Sequence, residues 1–204
     1  RVLLDIIRPT SGSAKIFGLD CKQDGVEIRK RVGYLPGELA LYQEMRADRF
    51  FEMFSTLQGN TAHANYWQTV AQKLELDTSR KIREFSRGNK QKVGIVMAFM
   101  SKPELLILDE PSNHLDQFAK QWLIAQMNQF QGHLVLVSHD RQLLRQMEQI
   151  WELSQLGLTQ YGGNFDVYEE QKQRERRALE RQLDAVRGDQ HRLEVQAQKN
   201  REKA

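Results

Sequence analysis

The chain has 204 residues, 40% of them hydrophobic and 28% charged, which allows one globular domain with a substantial core and an appendage. No apolar run approaches the roughly 20 residues that a membrane-spanning helix needs. The single cysteine, Cys21, excludes an internal disulfide framework and favours a cytoplasmic protein, while a formal charge of +3 is too small to indicate nucleic-acid binding.

Short apolar runs alternate with segments of helical period over residues 1–168, which predicts an α/β domain. The segments AKIFG and RVGYLP favour strands. Helices are expected at 47–57, 64–76, 89–100 and 117–130. A strand is expected at 105–108 and another in HLVLVSH, and we expect both to be covered on both faces because continuous apolar runs are typical of buried parallel strands. The segments QIWEL and LGLTQYGG predict an antiparallel hairpin that turns near Gln155.

Residues 169–204 are dense in charged side chains and contain no aromatic residue, which predicts one long helix. Apolar side chains recur along it in alternating steps of four and three residues. Two interpretations remain open: a solvated helix whose apolar seam packs on its own domain, and the first half of a coiled-coil hairpin. The seam positions are Leu179, Leu183, Val186, Gln190, Leu193 and Ala197.

Two carboxylates, Asp109 and Glu110, directly follow the apolar strand LLIL. Ligands of open α/β sheets bind at the carboxyl ends of the strands. An aspartate there can hold Mg²⁺ through water, and a glutamate can orient or deprotonate an attacking water. The strand LVLV ends similarly in Ser138, His139 and Asp140, so His139 is expected to reach the same crevice.

The segment FSRGNKQK comes just before a predicted helix, about 20 residues ahead of Asp109. Ser86 and Gly88 in this segment place a hydroxyl and free backbone N–H groups at a positive helix end, which favours an anion site. The alternative is a simple helix cap at Ser86 or Asn89.

In this order and spacing, the segments resemble the ATPase domain of the ABC superfamily. FSRGNKQK is similar to the signature motif, LLILDEP to Walker B, SNHLD to the D-loop and SHD to the switch-histidine loop, while VGYLPGE falls where the Q-loop belongs. The resemblance implies an α/β, ABC-type P-loop ATPase core over residues 1–168 with a helical subdomain near residues 45–90. It also implies ATP and Mg²⁺ as cofactors.

The resemblance assigns roles to the matching residues. It implies that Asp109 holds Mg²⁺, that Glu110 is the general base and that His139 senses the γ-phosphate. Two domains of this family close head to tail over two nucleotides, so a second ABC ATPase domain is implied as a partner. Ser86 and Gly88 would touch the nucleotide of the opposite domain, and Asp116 would make the D-loop contact across the dimer.

The sequence departs from the family pattern at two places. Arg87 stands in the signature where the family usually has glycine. Gly37 and Glu38 stand where the Q-loop glutamine is expected, and Glu38 is the candidate substitute for it.

No GxxxxGK[ST] phosphate loop occurs within the 204 residues. In family members the segment RVLLDIIRPTSGSAKIFG follows almost directly after that loop. We therefore expect an N-terminally truncated domain that binds ATP poorly by itself, because the backbone nest and lysine of the loop are the main phosphate anchors.

The branch of the superfamily that the sequence resembles changes along the chain. Residues 1 to about 105 are similar to the ATP-binding subunit of a drug- or antibiotic-export ABC transporter, which implies a transmembrane permease as partner at the cytoplasmic membrane face. Residues from about 110 to 204 are similar to ABC-F proteins, soluble ATPases that act on the ribosome and tRNA, with the charged helix as the start of their interdomain linker. The change indicates a composite sequence, or one divergent protein with mixed motifs.

Three functional hypotheses follow. The first is the ATPase subunit of an export-type transporter, the second is an ABC-F translation factor, and the third is a non-catalytic fragment that acts only as a binding module. DNA-repair ATPases of the SMC type also join a signature motif to a coiled coil, but NHLD and YGGNFDVYEEQK do not fit them.

Overall fold

The computed structural model describes residues 2–59, 63–155 and 157–201, with side chains described at all of these except 185, 186 and 189–201. The chain divides into two compact units, residues 1–143 and 144–204. Among the helices of the described part, none is both long enough and apolar enough to cross a membrane.

A three-stranded parallel sheet forms the centre of the first unit, and it confirms the predicted α/β class. Its strands are β3 (Val32–Leu35), β4 (Leu105–Asp109) and β5 (His133–Val137), in the order β3-β4-β5. The register places Tyr34 beside Ile107 and Ile107 beside Val135. The carboxyl ends of all three strands therefore meet at one edge of the sheet.

The prediction that both apolar strands are covered on both faces is wrong for β5. Leu106 and Leu108 of β4 are fully buried, but Val135 and Val137 of β5 are 43% and 54% exposed. Within the described residues, β5 pairs with β4 on one side only, and every second side chain of β5 is exposed.

Helices pack on β3 and β4 of this sheet, and one of them approaches β3 very closely. A Cβ atom at Gly33 of β3 would collide with the carbonyl oxygen of Ala98, so glycine at this position lets helix and strand backbones meet. These helices are α1 (Gly25–Arg31) and α4 (Arg87–Phe99). Helix α5 (Gln117–Gln129) lies between β4 and β5 in the sequence, and the short helix α6 (Arg141–Leu144) follows β5.

Two helices, α2 (Ala47–Gln58) and α3 (Tyr66–Lys73), form an aromatic-rich layer against α4. Phe50 and Phe51 are at most 1% exposed, and the ring of Phe51 lies 5.3 Å from that of Trp67. Gly59 ends α2 in the left-handed conformation, with φ of 66°.

A short ribbon completes the first unit. Its strands β1 (Lys15–Ile16) and β2 (Leu19–Asp20) pair antiparallel. Ile16 packs with Ile28 and Val32 in a small apolar cluster that also contains the buried Cys21.

The second unit contains the predicted hairpin and the long helix. Strands β6 (Gln149–Ser154) and β7 (Gly157–Gly162) pair antiparallel on either side of residues 155–156, and α7 (Phe165–Arg201) follows. The helix begins four residues before the predicted charged segment, because Asn164 Oδ1 accepts hydrogen bonds from the first amides, Asp166 N at 3.1 Å and Val167 N at 3.3 Å.

A polar cluster ties α7 to its hairpin. Glu152 of β6 accepts a hydrogen bond from the hydroxyl of Tyr168 at 3.1 Å and lies 2.8 Å from Lys172 Nζ. The bond from Lys172 holds the pKa of Glu152 below its usual range. Further along the helix, Leu179 and Leu183 are 57% and 48% exposed. The other four seam positions lie outside the residues whose side chains are described.

Candidate active site

The predicted acid pair and the predicted histidine come together at the carboxyl edge of the parallel sheet. Asp109 is the last residue of β4 and is paired with Val137, the last residue of β5. The amide of Glu110 donates a 2.7 Å hydrogen bond to the carbonyl oxygen of Val137. This bond fixes the start of the Glu110 turn against the start of the Ser138–His139 turn.

The side chains of Glu110 and His139 are in direct contact, with Oε2 and Nδ1 2.8 Å apart. The glutamate side chain is 25% exposed and the imidazole 78% exposed. Oε2 is itself buried, and its contact with Nδ1 is an ion pair only when the imidazole is protonated. A carboxylate at this strand end can accept a proton or a hydrogen bond from a bound water.

Asp109 faces the loop that follows β3. A Cβ atom added to Gly37 would lie 3.1 Å from Asp109 Oδ2, so the absence of a side chain at residue 37 leaves room beside this carboxylate. Glu38, the candidate substitute for the Q-loop glutamine, is exposed at the next position of the loop.

The residues around Asp109 fit a Mg²⁺ ion that is bound mainly by nucleotide and water. The described residues contain no cluster of three or more acidic, histidine or cysteine side chains that could enclose a metal ion. Mg²⁺ usually takes one or two protein carboxylates and completes its shell with phosphates and waters. Asp109, with the open space beside Gly37, offers one such carboxylate.

The start of α4 packs on the D-loop, so the two predicted cross-dimer elements form one surface. Ser86 is the N-cap of α4, and its Oγ accepts a 3.2 Å hydrogen bond from the amide of Asn89. A Cβ atom at Gly88 would lie 2.6 Å from the carbonyl oxygen of His114, a residue whose own φ is 62°. Ser86 therefore serves as a helix cap, and the backbone of Gly88 lies against the D-loop.

Asp116 is bound within its own chain. It is the N-cap of α5, where Oδ1 accepts a 2.7 Å hydrogen bond from Ala119 N, and Oδ2 lies 2.9 Å from the Nζ of the buried Lys92. The bond from the Ala119 amide, with that from Lys92, holds the pKa of Asp116 below its usual range.

Gln91 contributes to the site although sequence reasoning missed it. It is 6% exposed, and its amide donates to the carbonyl oxygens of Glu110 and Pro111. Gln91 lies in the strongly polar run GNKQK, a pattern that predicts an exposed helix start. Only the packing of α4 against the end of β4 buries it.

The sequence also did not predict a second ionic cluster, which lies next to His139. Asp140 Oδ2 lies 2.6 Å from Lys120 Nζ, and both side chains are less than one-fifth exposed. Burial raises the pKa of Asp140, but hydrogen bonds from Lys120, the Gln142 amide and Ser112 outweigh it and leave the pKa below the usual range. This cluster joins the D-loop, α5 and the residue after His139.

Comparisons with known proteins identify the family of the chain. A family model described as ABC transporter matches residues 1–113. Over 175 residues the chain is 35% identical to the ATP-binding protein Uup of Escherichia coli, covering 82% of this chain and 27% of that protein. Over 146 residues it is 35% identical to the energy-dependent translational throttle protein EttA of Mycobacterium tuberculosis, covering 68% of this chain and 26% of that protein.

A transporter-type relative matches as well. The probable multidrug ABC transporter ATP-binding protein YbhF of Escherichia coli is 30% identical over 155 residues, covering 73% of this chain and 26% of that protein. The chain thus spans about a quarter of the length of these relatives. Uup and EttA, like the transporter-type relative YbhF, therefore match this one chain.

Solved structures give the same fold. The ATP-binding subunit of an ABC transporter superposes with a TM-score of 0.64 at 25% identity, covering 72% of this chain and 65% of the other. An ATP-binding cassette dimer bound to ADP and Pi has the same TM-score at 20% identity and covers 74% of this chain and 72% of its own. The sequence motifs, the parallel sheet and these matches together show that the chain belongs to the ABC transporter family of ATP-binding domains.

Proposed function

We propose that this chain carries the water-activating and γ-phosphate-facing part of a Mg²⁺-dependent ATP-hydrolysis site. The observation that carries the proposal is the 2.8 Å approach of Glu110 Oε2 to His139 Nδ1 at the ends of adjacent parallel strands. Glu110 is the general base, Asp109 the carboxylate for the metal ion, and His139 a donor to the γ-phosphate.

The geometry supports a division of work between Glu110 and His139. The Glu110 side chain lies at the end of β4 and is 25% exposed, so its carboxylate can take a proton from a bound water. The imidazole turns Nδ1 toward Glu110, and its other ring nitrogen donates a hydrogen bond to an anionic oxygen when it carries a proton. Mg²⁺, when bound, neutralises phosphate charge, and Asp109 would hold it.

Anchoring of the other phosphates is not assigned to this chain, because residues 1–204 contain no GxxxxGK[ST] loop. The proposed second half of the mechanism is closure of two domains, in which Ser86 and Gly88 face the partner's nucleotide and Asp116 makes the D-loop contact across the dimer. The close approach of Gly88 to the His114 carbonyl supports it, because it places the start of α4 beside the D-loop.

As the biological setting we propose an export-type ABC transporter, with the chain as ATPase subunit bound to a transmembrane permease at the cytoplasmic membrane face. The transporter-like motifs before residue 100 and the relative YbhF support this setting.

A second candidate, an ABC-F-type ATPase that acts on the ribosome and tRNA, is favoured by a separate observation. The helix α7 is 37 residues long and is fixed to its hairpin through Glu152, and Uup and EttA match the chain.

The test of the catalytic proposal is Glu110→Gln in an intact ATPase that carries residues 1–204 behind a GxxxxGK[ST] loop. The amide keeps the shape of the side chain but cannot accept the proton, so we expect turnover to fall by about 10²-fold or more with ATP binding retained. Turnover at the parent rate would show that Glu110 is not the base.

A further inference from the structure

Glu110 has an unusual backbone conformation for a residue with a side chain. Its φ is 48°, in the left-handed region that few residues other than glycine adopt. Such a conformation is strained and persists only where its surroundings hold it. The structure must therefore contain contacts that fix the Glu110 backbone.

Two hydrogen bonds hold the main chain of Glu110, one at its N–H and one at its carbonyl oxygen. The N–H of Glu110 donates to the carbonyl oxygen of Val137 at 2.7 Å, which ties it to β5. Its carbonyl oxygen accepts from Gln91 Nε2 at 3.2 Å, and the next carbonyl, that of Pro111, accepts from the same nitrogen at 3.1 Å.

Gln91 is well placed to act as a clamp on this turn. It is 6% exposed, so its hydrogen bonds are protected from competing water. It lies on α4 one turn beyond Ser86, the helix cap in the signature motif. Neither carbonyl that it binds belongs to a ladder of the sheet, because β4 ends at Asp109.

We propose that Gln91 is a positioning residue that holds Glu110 in its strained conformation and couples the signature helix to the general base of the same chain. The proposal rests on the proposed role of Glu110. Gln91 has no part in proton transfer; it sets the direction of the Glu110 side chain through the main chain. A displacement of the start of α4 then shifts the carboxylate relative to His139.

The first test needs no nucleotide and uses residues 1–204. Hydrogen exchange of the Glu110 amide is followed by NMR in the parent, in Gln91→Met and in Gln91→Lys. Methionine fills a similar volume without a donor, so we expect exchange to be about tenfold faster, whereas lysine retains donors and should stay near the parent. Gln121→Met, the same substitution at an exposed position of α5, is the matched control and should change nothing.

Exchange at the parent rate in Gln91→Met, or equal acceleration in Gln91→Lys, would overturn the clamp. If Gln91→Met does not fold, Gln91→Glu takes its place, since it keeps the shape and loses the donor when ionised.

The second test separates this inference from the proposed function. In an ATPase-competent protein that contains this chain, Gln91→Met should lower kcat by about 10-fold or more and leave KM for ATP nearly unchanged, because misplacement of a reacting group affects the chemical step. If Glu110→Gln abolishes turnover while Gln91→Met leaves kcat at the parent value, the inference fails alone. If Glu110→Gln is fully active, the proposed function itself fails.

Discussion

Lys92 Nζ lies 2.9 Å from Asp116 Oδ2, and the two ends of this pair differ greatly in exposure, at 8% and 56% of the side chain. The lysine has given up most of its hydration, whereas the aspartate has not. Removing one partner therefore should not have the same effect as removing the other.

We expect Asp116→Ala to lower the free energy of unfolding by about 2 kcal/mol, because it removes a helix cap and leaves a buried ammonium unpaired. Lys92→Met keeps the volume and removes the buried charge, so its effect should stay within about 1 kcal/mol. Urea unfolding followed by circular dichroism measures both. Equal losses from the two substitutions would contradict the asymmetry.

Acid should weaken the switch-loop cluster. The pKa of Asp140 is lowered in the folded state because bonds from Lys120, the Gln142 amide and Ser112 outweigh the effect of burial. Its contribution to stability is therefore present above the unfolded pKa of about 3.9 and is lost as pH falls through the lower folded value.

The check is the urea midpoint measured between about pH 6 and pH 2. Asp140→Asn should make the acid loss shallower than in the parent, because the substituted side chain has no proton to take up. An unchanged slope would show that Asp140 does not contribute. Asp184→Asn, at an exposed position of α7, is the matched control and should follow the parent curve.

The sequence predicted the sheet and the meeting of Glu110 and His139 at its edge well, because both depend on local patterns. A wholly apolar run followed by two carboxylates specifies β4 and its end with little help from elsewhere. The same argument failed for the burial of Val135 and Val137, because burial of a strand depends on what packs over it and periodicity carries no such information.

The supporting residues of the site could not be predicted for the same reason. Gln91, Lys92 and Lys120 are polar side chains on helices, and local sequence cannot distinguish an exposed one from a buried one. Their roles arise only when α4 and α5 are brought to the end of β4. The left-handed turn at Glu110 is likewise invisible to local pattern, since glutamate normally avoids it.

Two glycine substitutions should act in opposite directions. Gly88→Ala places a Cβ atom 2.6 Å from the backbone oxygen of His114, so we expect it to destabilise the chain by about 1–3 kcal/mol as the D-loop shifts. Gly188→Ala, in α7, meets no atom within 4 Å and should stabilise that helix by up to about 1 kcal/mol. Thermal melting of both variants measures the difference. A neutral Gly88→Ala would show that the D-loop is not packed as described.

Removal of the imidazole should reduce turnover without preventing nucleotide binding. In the ATPase-competent protein, His139→Ala removes the proposed donor to the γ-phosphate and the 2.8 Å partner of Glu110. We expect kcat to fall by about 10²–10³-fold, the range for loss of one oxyanion donor. Parent-like kcat would exclude a role for this histidine in the chemical step. Exposed His133, changed to alanine, serves as the control.

The charged helix offers the test between the transporter and the ribosome. Residues 169–204 carry 10 Lys or Arg and 8 Asp or Glu, a net excess of two, and pairs such as Arg174–Glu170, at 2.6 Å, neutralise part of the charge along the helix. Exposed pairs of this kind contribute little to stability, so the side chains stay available to a partner.

Ribosome binding should be measured at low and moderate salt for two triple Arg/Lys→Gln variants with the same change in net charge. The helix variant changes Arg176, Arg177 and Arg181. The control changes Lys30, Arg49 and Arg80 in the first unit. An RNA-facing helix would bind phosphates, so the helix variant alone would bind more weakly and with a shallower dependence on salt. For a transporter subunit we expect weak binding that both variants reduce equally. A selective loss in the helix variant would overturn the transporter assignment and favour the ABC-F candidate.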